Sequence, residues 1–259
     1  MWGWENGGLN AVDRVTVRDR LLEVGRDQSL RDELGWKTAL DFIGDLGSHP
    51  LHFLFGVIFD YQIPYEKAWR APFVLEERLV ERGIKFSAES IAKMSEEELA
   101  EILKRKPALH RFPRKVSKAL IEAAKRVNTK YNSDPLSIWS DKPTAKQLEE
   151  RFDDFWGIGQ KNASMAVRLL VEWFNVEVSG DWSGIDVSGD RNVLRVFKRL
   201  GLIDKEEVGK AIQIARELNP SYPGALDFPA WAIGIKWCKS KNPECPSCPL
   251  GDICPKLLW

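Results

Sequence analysis

The sequence predicts an all-α protein, and three observations predict it. Hydroxyl and acidic residues suited to helix caps recur along the chain. Apolar residues between them return every three or four positions. The most β-like patch, Val176-Glu177-Val178, is too short to found a sheet. Composition agrees: 44% hydrophobic against 29% charged residues is a globular balance, which excludes wholesale disorder and collagen-like repeats. A length of 259 residues suits one large domain or two small ones.

The elements follow in order. Leu51 to Phe59 is nearly all apolar and predicts a buried helix. Ser95 faces Glu98 in a capping-box pattern, and Leu99, Ile102 and Leu103 supply the apolar stripe behind it. Val116, Leu120, Ala123, Ala124 and Val127 mark a longer amphipathic helix. Asp134-Pro135 places a cap ahead of a proline suited to a first turn. Thr144 and Gln147 repeat the capping box, and the run Asp204-Lys205-Glu206-Glu207 opens a late helix. The expectation is roughly ten or more short helices joined by brief turns. Most of the eleven tryptophans, Trp36 and Trp173 among them, are assigned to core packing.

Charge is balanced overall, with 38 Lys+Arg against 38 Asp+Glu, but it is unevenly spread. Lys104 to Lys130 holds ten basic residues and the single acid Glu122, whereas Glu76 to Glu101 holds eight glutamates and four basic residues. The basic run reads either as a solvated helix face or as a stripe that meets phosphate, with Arg114 and Lys118 as its candidate contacts. No stretch approaches ~18 uncharged apolar residues, so no membrane span is expected. The opening Met1-Trp-Gly-Trp-Glu lacks the pattern of a secretory signal. The expected location is therefore intracellular and cytoplasmic.

All four cysteines lie between 238 and 254: Cys238, Cys245, Cys248 and Cys254. Such crowding points to a metal site in a reducing compartment rather than to a disulfide framework. Structural zinc usually takes two close pairs, whereas here only Cys245 and Cys248 are close, with Cys238 and Cys254 approaching from either side. One wrapped loop of this kind suits a 4Fe–4S cluster; zinc or a disulfide pair are the alternatives.

A second motif precedes it. Leu148 to Ala163 reads as a helix, a Gly157-Ile158-Gly159 reversal and a second helix whose Ala163, Ala166, Val167 and Leu170 face inward. Glycines allow tight backbone geometry and close approach of amides to a phosphate, and the second helix adds its positive end.

Together these motifs resemble the helix-hairpin-helix DNA glycosylases, and the cysteine spacing resembles the cluster loop of the endonuclease III and adenine-glycosylase branch. The match runs from about Leu51 to Cys254; residues 1–44 match no assignable pattern. It departs at Trp156, where the family usually carries proline. The resemblance implies a two-lobed fold: a central helical lobe over 45–175 ending in the hairpin, and a discontinuous cluster lobe of 1–44 plus 176–259 with the loop at 238–254. It implies a cleft between the lobes and a structural 4Fe–4S cluster. Lys161 falls where the family's glycosylase/lyases carry a nucleophilic amine, which must be neutral to attack the deoxyribose anomeric carbon. Asp190, five residues before Arg195-Val196, matches the family's carboxylate and would offset positive charge on the sugar; Asp186 and Asp181 are its rivals. Gln62 matches a glutamine that fills the gap left by an extruded nucleotide. Gly157 and Gly159 would meet the backbone of the DNA, Lys239 and Lys241 are further candidate phosphate contacts, and Tyr61, Phe112, Trp156 and Trp182 are candidates for stacking.

The implied activity is base-excision repair. A monomeric DNA glycosylase with AP lyase activity would act on double-stranded DNA holding a damaged or mismatched base, an oxidised base by default, in the cytoplasm or nucleoid. A monofunctional glycosylase of uracil or adenine-mispair type, and a non-catalytic iron–sulfur DNA-binding module, are the competing readings.

Overall fold

The computed structural model describes residues 13–34 and 40–257, so Trp36 lies outside the described residues. Among the described residues there are twelve α-helices, three short 3₁₀ turns and no strand. The one β feature is an isolated bridge between Thr144 and Ser179, just beyond the Val176–Val178 patch. The chain divides into two compact units: Gln28–Ile185, and Asp186 onward together with the segment up to Asp27.

Within Gln28–Ile185, the helices are α2 (Gln28–Glu33), α3 (Pro50–Phe59), α4 (Tyr65–Val80), α5 (Ala88–Ala92), α6 (Glu96–Lys104), α7 (Pro113–Lys130), α8 (Ala145–Asp153) and α9 (Gln160–Glu172). Every residue from Leu51 to Phe59 is buried, as its unbroken apolar run requires. Gly56 sits against the face of Trp69, and a Cβ there would lie 2.6 Å from the indole. That close approach lets the largest buried side chain of the core lie flat on α3. Phe53, Phe152 and Phe155 complete this centre and are fully buried. Trp173 is only half-buried, with the Arg31 guanidinium 5.4 Å from its ring centre.

The caps act where the sequence puts them. Thr144 and Gln147 form a reciprocal capping box that starts α8, and Ser95 Oγ accepts from the Glu98 amide to start α6. Each such cap is worth about 1 kcal/mol. Asp134 accepts from the Leu136 amide, but the helix after it is a single 3₁₀ turn, Pro135–Ile138.

In the second unit, α1 (Arg14–Arg26) accompanies α10 (Arg191–Arg199), α11 (Val208–Leu218) and α12 (Asp227–Lys236). The acidic run at 204–207 leads into α11, with Glu207 as its N-cap, and Asp204 reaches Lys210 at 2.6 Å. α10 and α12 pack closely because Gly234 faces Asn192, leaving no room for a side chain. Arg20 of α1 reaches the Pro249 carbonyl and the Asp252 carboxylate, which ties the N-terminal helix to the C-terminal loop.

Candidate functional site

The hairpin forms as a rigid reversal in the Gln28–Ile185 unit. α8 ends at Asp153 and is capped by Asp154, the chain turns through Phe155 to Gly159, and α9 begins at Gln160. The two glycines are not equivalent. Gly157 has φ +91°, which a side chain would strain, and its Cβ position lies 3.2 Å from Ala119. Gly159 is extended, and nothing lies within 4 Å of the place a Cβ would occupy. Backbone geometry therefore demands only Gly157, whereas Gly159 leaves open space in front of the α9 amides. Such a helix start attracts anions.

The hairpin rests on α7. Arg126 and Lys130 both pair with Asp154, and Lys118 Nζ lies 4.8 Å from the ring centre of Trp156, which is 43% exposed. The basic run is thus partly neutralised, since Lys104, Arg105 and Lys125 also pair, with Glu101, Glu81 and Glu122. Lys106, Arg111, Arg114, Lys115 and Lys118 have no carboxylate at ion-pair distance among the described residues. These five remain to attract an anionic ligand.

Lys161 lies in the first turn of α9, with its Nζ 3.4 Å from Asp60 Oδ2. The neighbouring Asn162 donates from Nδ2 to the carbonyls of Val57 and Asp60, at 2.8 and 3.0 Å. The end of α3 is therefore pinned beside the lysine. Asp60 is the residue that the sequence did not single out, although a lone acid closing an all-apolar helix was a visible signal.

Gln62 follows two residues later, exposed and at φ +54°. A non-glycine residue in that region marks a constrained turn. His110 supports it: Nε2 donates to the Tyr61 carbonyl at 2.9 Å while Nδ1 accepts from the Phe112 amide at 3.0 Å. Burial holds the His110 imidazole below its ordinary pKa, in keeping with that neutral arrangement. Tyr61 and Phe112 stand 5.9 Å apart, and Lys115 Nζ is 3.8 Å over the tyrosine ring. Of the four stacking candidates these two are brought together, whereas Trp156 pairs with Lys118 and Trp182 is a further exposed ring.

In the other unit, Asp190 is the N-cap of α10 and accepts from the Asn192 amide at 2.7 Å. Asp186 is buried in a two-pronged pair with Arg216, at 2.8 and 2.7 Å. Asp181, in the Gln28–Ile185 unit, is exposed and turned onto Ser183. Of the three carboxylates, Asp190 is the one placed at a helix N-terminus. The buried Asp227 accepts from the Ser188 amide and so fixes the approach to Asp190.

The same helix holds the cysteine loop. Arg195 donates to the carbonyls of Cys238 and Gly234, and Arg199 donates to those of Lys239 and Ser240. No disulfide joins the four cysteines, and all four line one cavity together with Arg199, Leu250 and Gly251. Gly251 fits only without a side chain, because a Cβ would strike the carbonyl of Cys245. Arg199 Nη1 lies 3.4 Å from Cys238 Sγ, and the Lys256 amide donates to Cys254 Sγ at 3.3 Å. Burial, with the neighbouring cysteines adding to it, raises the Cys248 and Cys254 thiols. Among the described residues no group of three or more His, Cys, Asp or Glu converges on a single metal-ion position. Lys239 is paired with Glu244 inside the loop, and Lys241 is exposed. No described helix is long and apolar enough to cross a membrane.

No family profile matches the sequence, and no curated protein matches it. Solved structures do. A trapped endonuclease III–DNA covalent intermediate aligns with TM-score 0.62 at 19% identity, covering 94% of this chain and 96% of that one. A thermostable thymine-DNA glycosylase aligns with TM-score 0.60 at 16% identity, covering 93% and 94%. The 8-oxoguanine glycosylase/lyase of Clostridium acetobutylicum, in complex with DNA, aligns with TM-score 0.51 at 15% identity, covering 83% and 69%.

Proposed function

This chain has the all-α fold of the helix-hairpin-helix DNA glycosylase superfamily, and we propose that it is a base-excision DNA glycosylase with an associated AP lyase activity. The observation that carries the reading is Lys161, a partly exposed amine in the first turn after the Gly157–Gly159 reversal. Double-stranded DNA holding an oxidised base is the proposed substrate. The α9 amides and Arg114 and Lys118 of α7 meet phosphate, and Gln62 enters the gap left by the extruded nucleotide.

Neutral Lys161 attacks C1′, a C–N bond forms, and the glycosidic bond breaks with its electron pair leaving on the base. The sugar ring then opens to an imine, and β-elimination releases the 3′ phosphate. Asp190, at its helix N-terminus, offsets positive charge as it develops on the sugar.

The four cysteines fit a 4Fe–4S cluster as its ligands. They ring a cavity rather than a point, and two of the sulfurs already accept from Arg199 and a backbone amide. A spread donor set suits a polynuclear cluster better than a single zinc, whose four ligands must close on one ion. When bound, the cluster contributes folding free energy to the terminal loop. The protein residues perform the bond cleavage.

A second reading has one observation in its favour. Lys161 is paired with Asp60, as a purely structural lysine would be, and the enzyme would then release a base with water alone. A panel of duplexes, each with one lesion, tests the two readings when base release and strand nicking are assayed separately. Release with nicking and with a borohydride-trapped protein–DNA adduct is the expected result. Release that never traps on any lesion establishes the water-using alternative.

A further inference from the structure

Resting on the reading of Lys161 as the nucleophile, we infer that Asp60 is the base that takes the proton from its amine. An ordinary lysine at pH 7 is neutral in only roughly one molecule in a few thousand. Some group must therefore accept a proton before attack. The carboxylate 3.4 Å from Nζ is the one the structure places there, with its side chain 10% exposed against 36% for the lysine.

The pair is held at both ends. Asp60 caps α3, its amide donating to the Gly56 carbonyl at 3.0 Å, and its own carbonyl is bonded by Asn162, the residue after Lys161. Consecutive residues of α9 thus reach the side chain and the backbone of one aspartate. In water the charged pair is favoured, so the contact alone does not activate the amine. Covering the lysine with DNA removes its water, and a nearly dry ion pair is then relieved by moving the proton across. The proton passes from Nζ to Oδ2, and the freed lone pair attacks C1′. The new C–N nitrogen passes its second proton to the departing base anion, and its lone pair then opens the C1′–O4′ bond to the protonated imine while Asp60 returns its own proton to O4′.

Titratable groups of the turn after Asp60 and of α7 make contacts of their own. His110 bonds the Tyr61 carbonyl and the Phe112 amide, Lys115 lies over Tyr61, and Lys118 lies over Trp156. Lys67 and Arg111 act on His110. Gln160 and Asn162, beside Lys161 on α9, carry no charge.

The test is single-turnover borohydride trapping on a preformed abasic duplex, followed from about pH 6 to about pH 10 across the ordinary lysine range. Asp60→Asn is expected to trap about 10²-fold more slowly near neutrality, with the deficit closing as solvent deprotonates the lysine at high pH. Asp60→Glu keeps a carboxylate and should keep the shallow wild-type profile whatever its absolute rate. An Asp60→Asn deficit equal at every pH overturns the inference, as does faster trapping at neutrality or a steep Asp60→Glu profile. Lys161→Ala separates the two layers. If it still traps, the nucleophile reading itself fails. If it is inert while Asp60→Asn parallels wild type, only the role of Asp60 fails. Melting curves identify any variant that has not folded, and the Asp60→Glu profile then decides alone.

Discussion

Arg195 Nε donates to the carbonyl of Cys238 at 2.7 Å, and through this bond one nine-residue helix joins two candidate sites. Asp190 caps its N-terminal end, while Arg195 and Arg199, one turn apart, hold the first stretch of the cysteine loop. Asn192, on the same helix, accepts from Arg195 Nη2 at 2.6 Å and so orients that guanidinium. Truncating Arg195 removes the charged donor from the carbonyls of Cys238 and Gly234, of which the former keeps only a longer bond from Arg199. Arg195→Ala is expected to lower stability by about 2–3 kcal/mol. It should also lower metal retention, and denaturant melts with metal analysis of the purified protein check both. Full stability with full metal content would show that the loop does not depend on the helix.

The cluster itself makes a spectroscopic prediction. Protein purified without oxygen should be brown and hold about four irons per chain. Cys245→Ser should lose the colour and destabilise the terminal loop, since ligation and folding are linked. A colourless protein with stoichiometric zinc would overturn the assignment.

Much of this was legible in the sequence for local reasons. Caps such as Ser95 and Thr144 act within four residues, so their chemistry is written where it operates. The Gly157 turn is equally local, because a φ of +91° selects glycine whatever lies beyond it. What could not be read joins distant positions. Asp60 meets Lys161 across about a hundred residues, and Arg216 meets Asp186 across thirty. Spacing favoured Asp190 over its rival Asp186, but it could not reveal that Asp186 is buried against Arg216. Within the acidic run the sequence could not say which residue caps the helix: it is Glu207, while the Asp204 carboxylate is taken by Lys210.

DNA affinity should depend on the part of α7 that has no acid partner. Arg114→Glu with Lys118→Glu is expected to weaken duplex binding regardless of sequence and to reduce the slope of log affinity against log salt by about 1–2. Arg126→Glu is a different experiment, since it also breaks the pair with Asp154 beneath the hairpin. An unchanged slope in the Arg114/Lys118 variant would make this face ordinary solvated surface.

His110 gives a pH dependence with a definite sign. Burial holds it neutral in the fold, so the unfolded chain binds the extra proton first, near the ordinary value of about 6.5. Stability therefore falls as the pH drops below that value and goes on falling until the folded-state pKa is reached. His52 acts in the same direction, its burial outweighing the nearby Glu76. His110→Gln keeps a donor for the Tyr61 carbonyl and removes one titration. Thermal melts between about pH 7.5 and pH 5.5, spanning the ordinary histidine value, should show a shallower decline for this variant than for wild type. Parallel declines would remove His110 from the account.

Asp190 allows its structural and chemical roles to be separated by one substitution. As an N-cap it accepts the Asn192 amide, and asparagine caps a helix about as well as aspartate. Asp190→Asn should therefore melt within about 0.5 kcal/mol of wild type, the usual span for a change that keeps its contacts. The lost negative charge is a different matter. If the carboxylate offsets charge on the departing sugar, base release should slow by about 10²–10³-fold. Attack on a preformed abasic aldehyde needs no such charge on the sugar, because the base has already gone. Lys161 should therefore still trap on an abasic duplex when the variant can scarcely release a base. Base release at the wild-type rate would leave Asp190 as a cap and nothing more. Equal losses in release and trapping would place it instead in binding or in positioning the lysine.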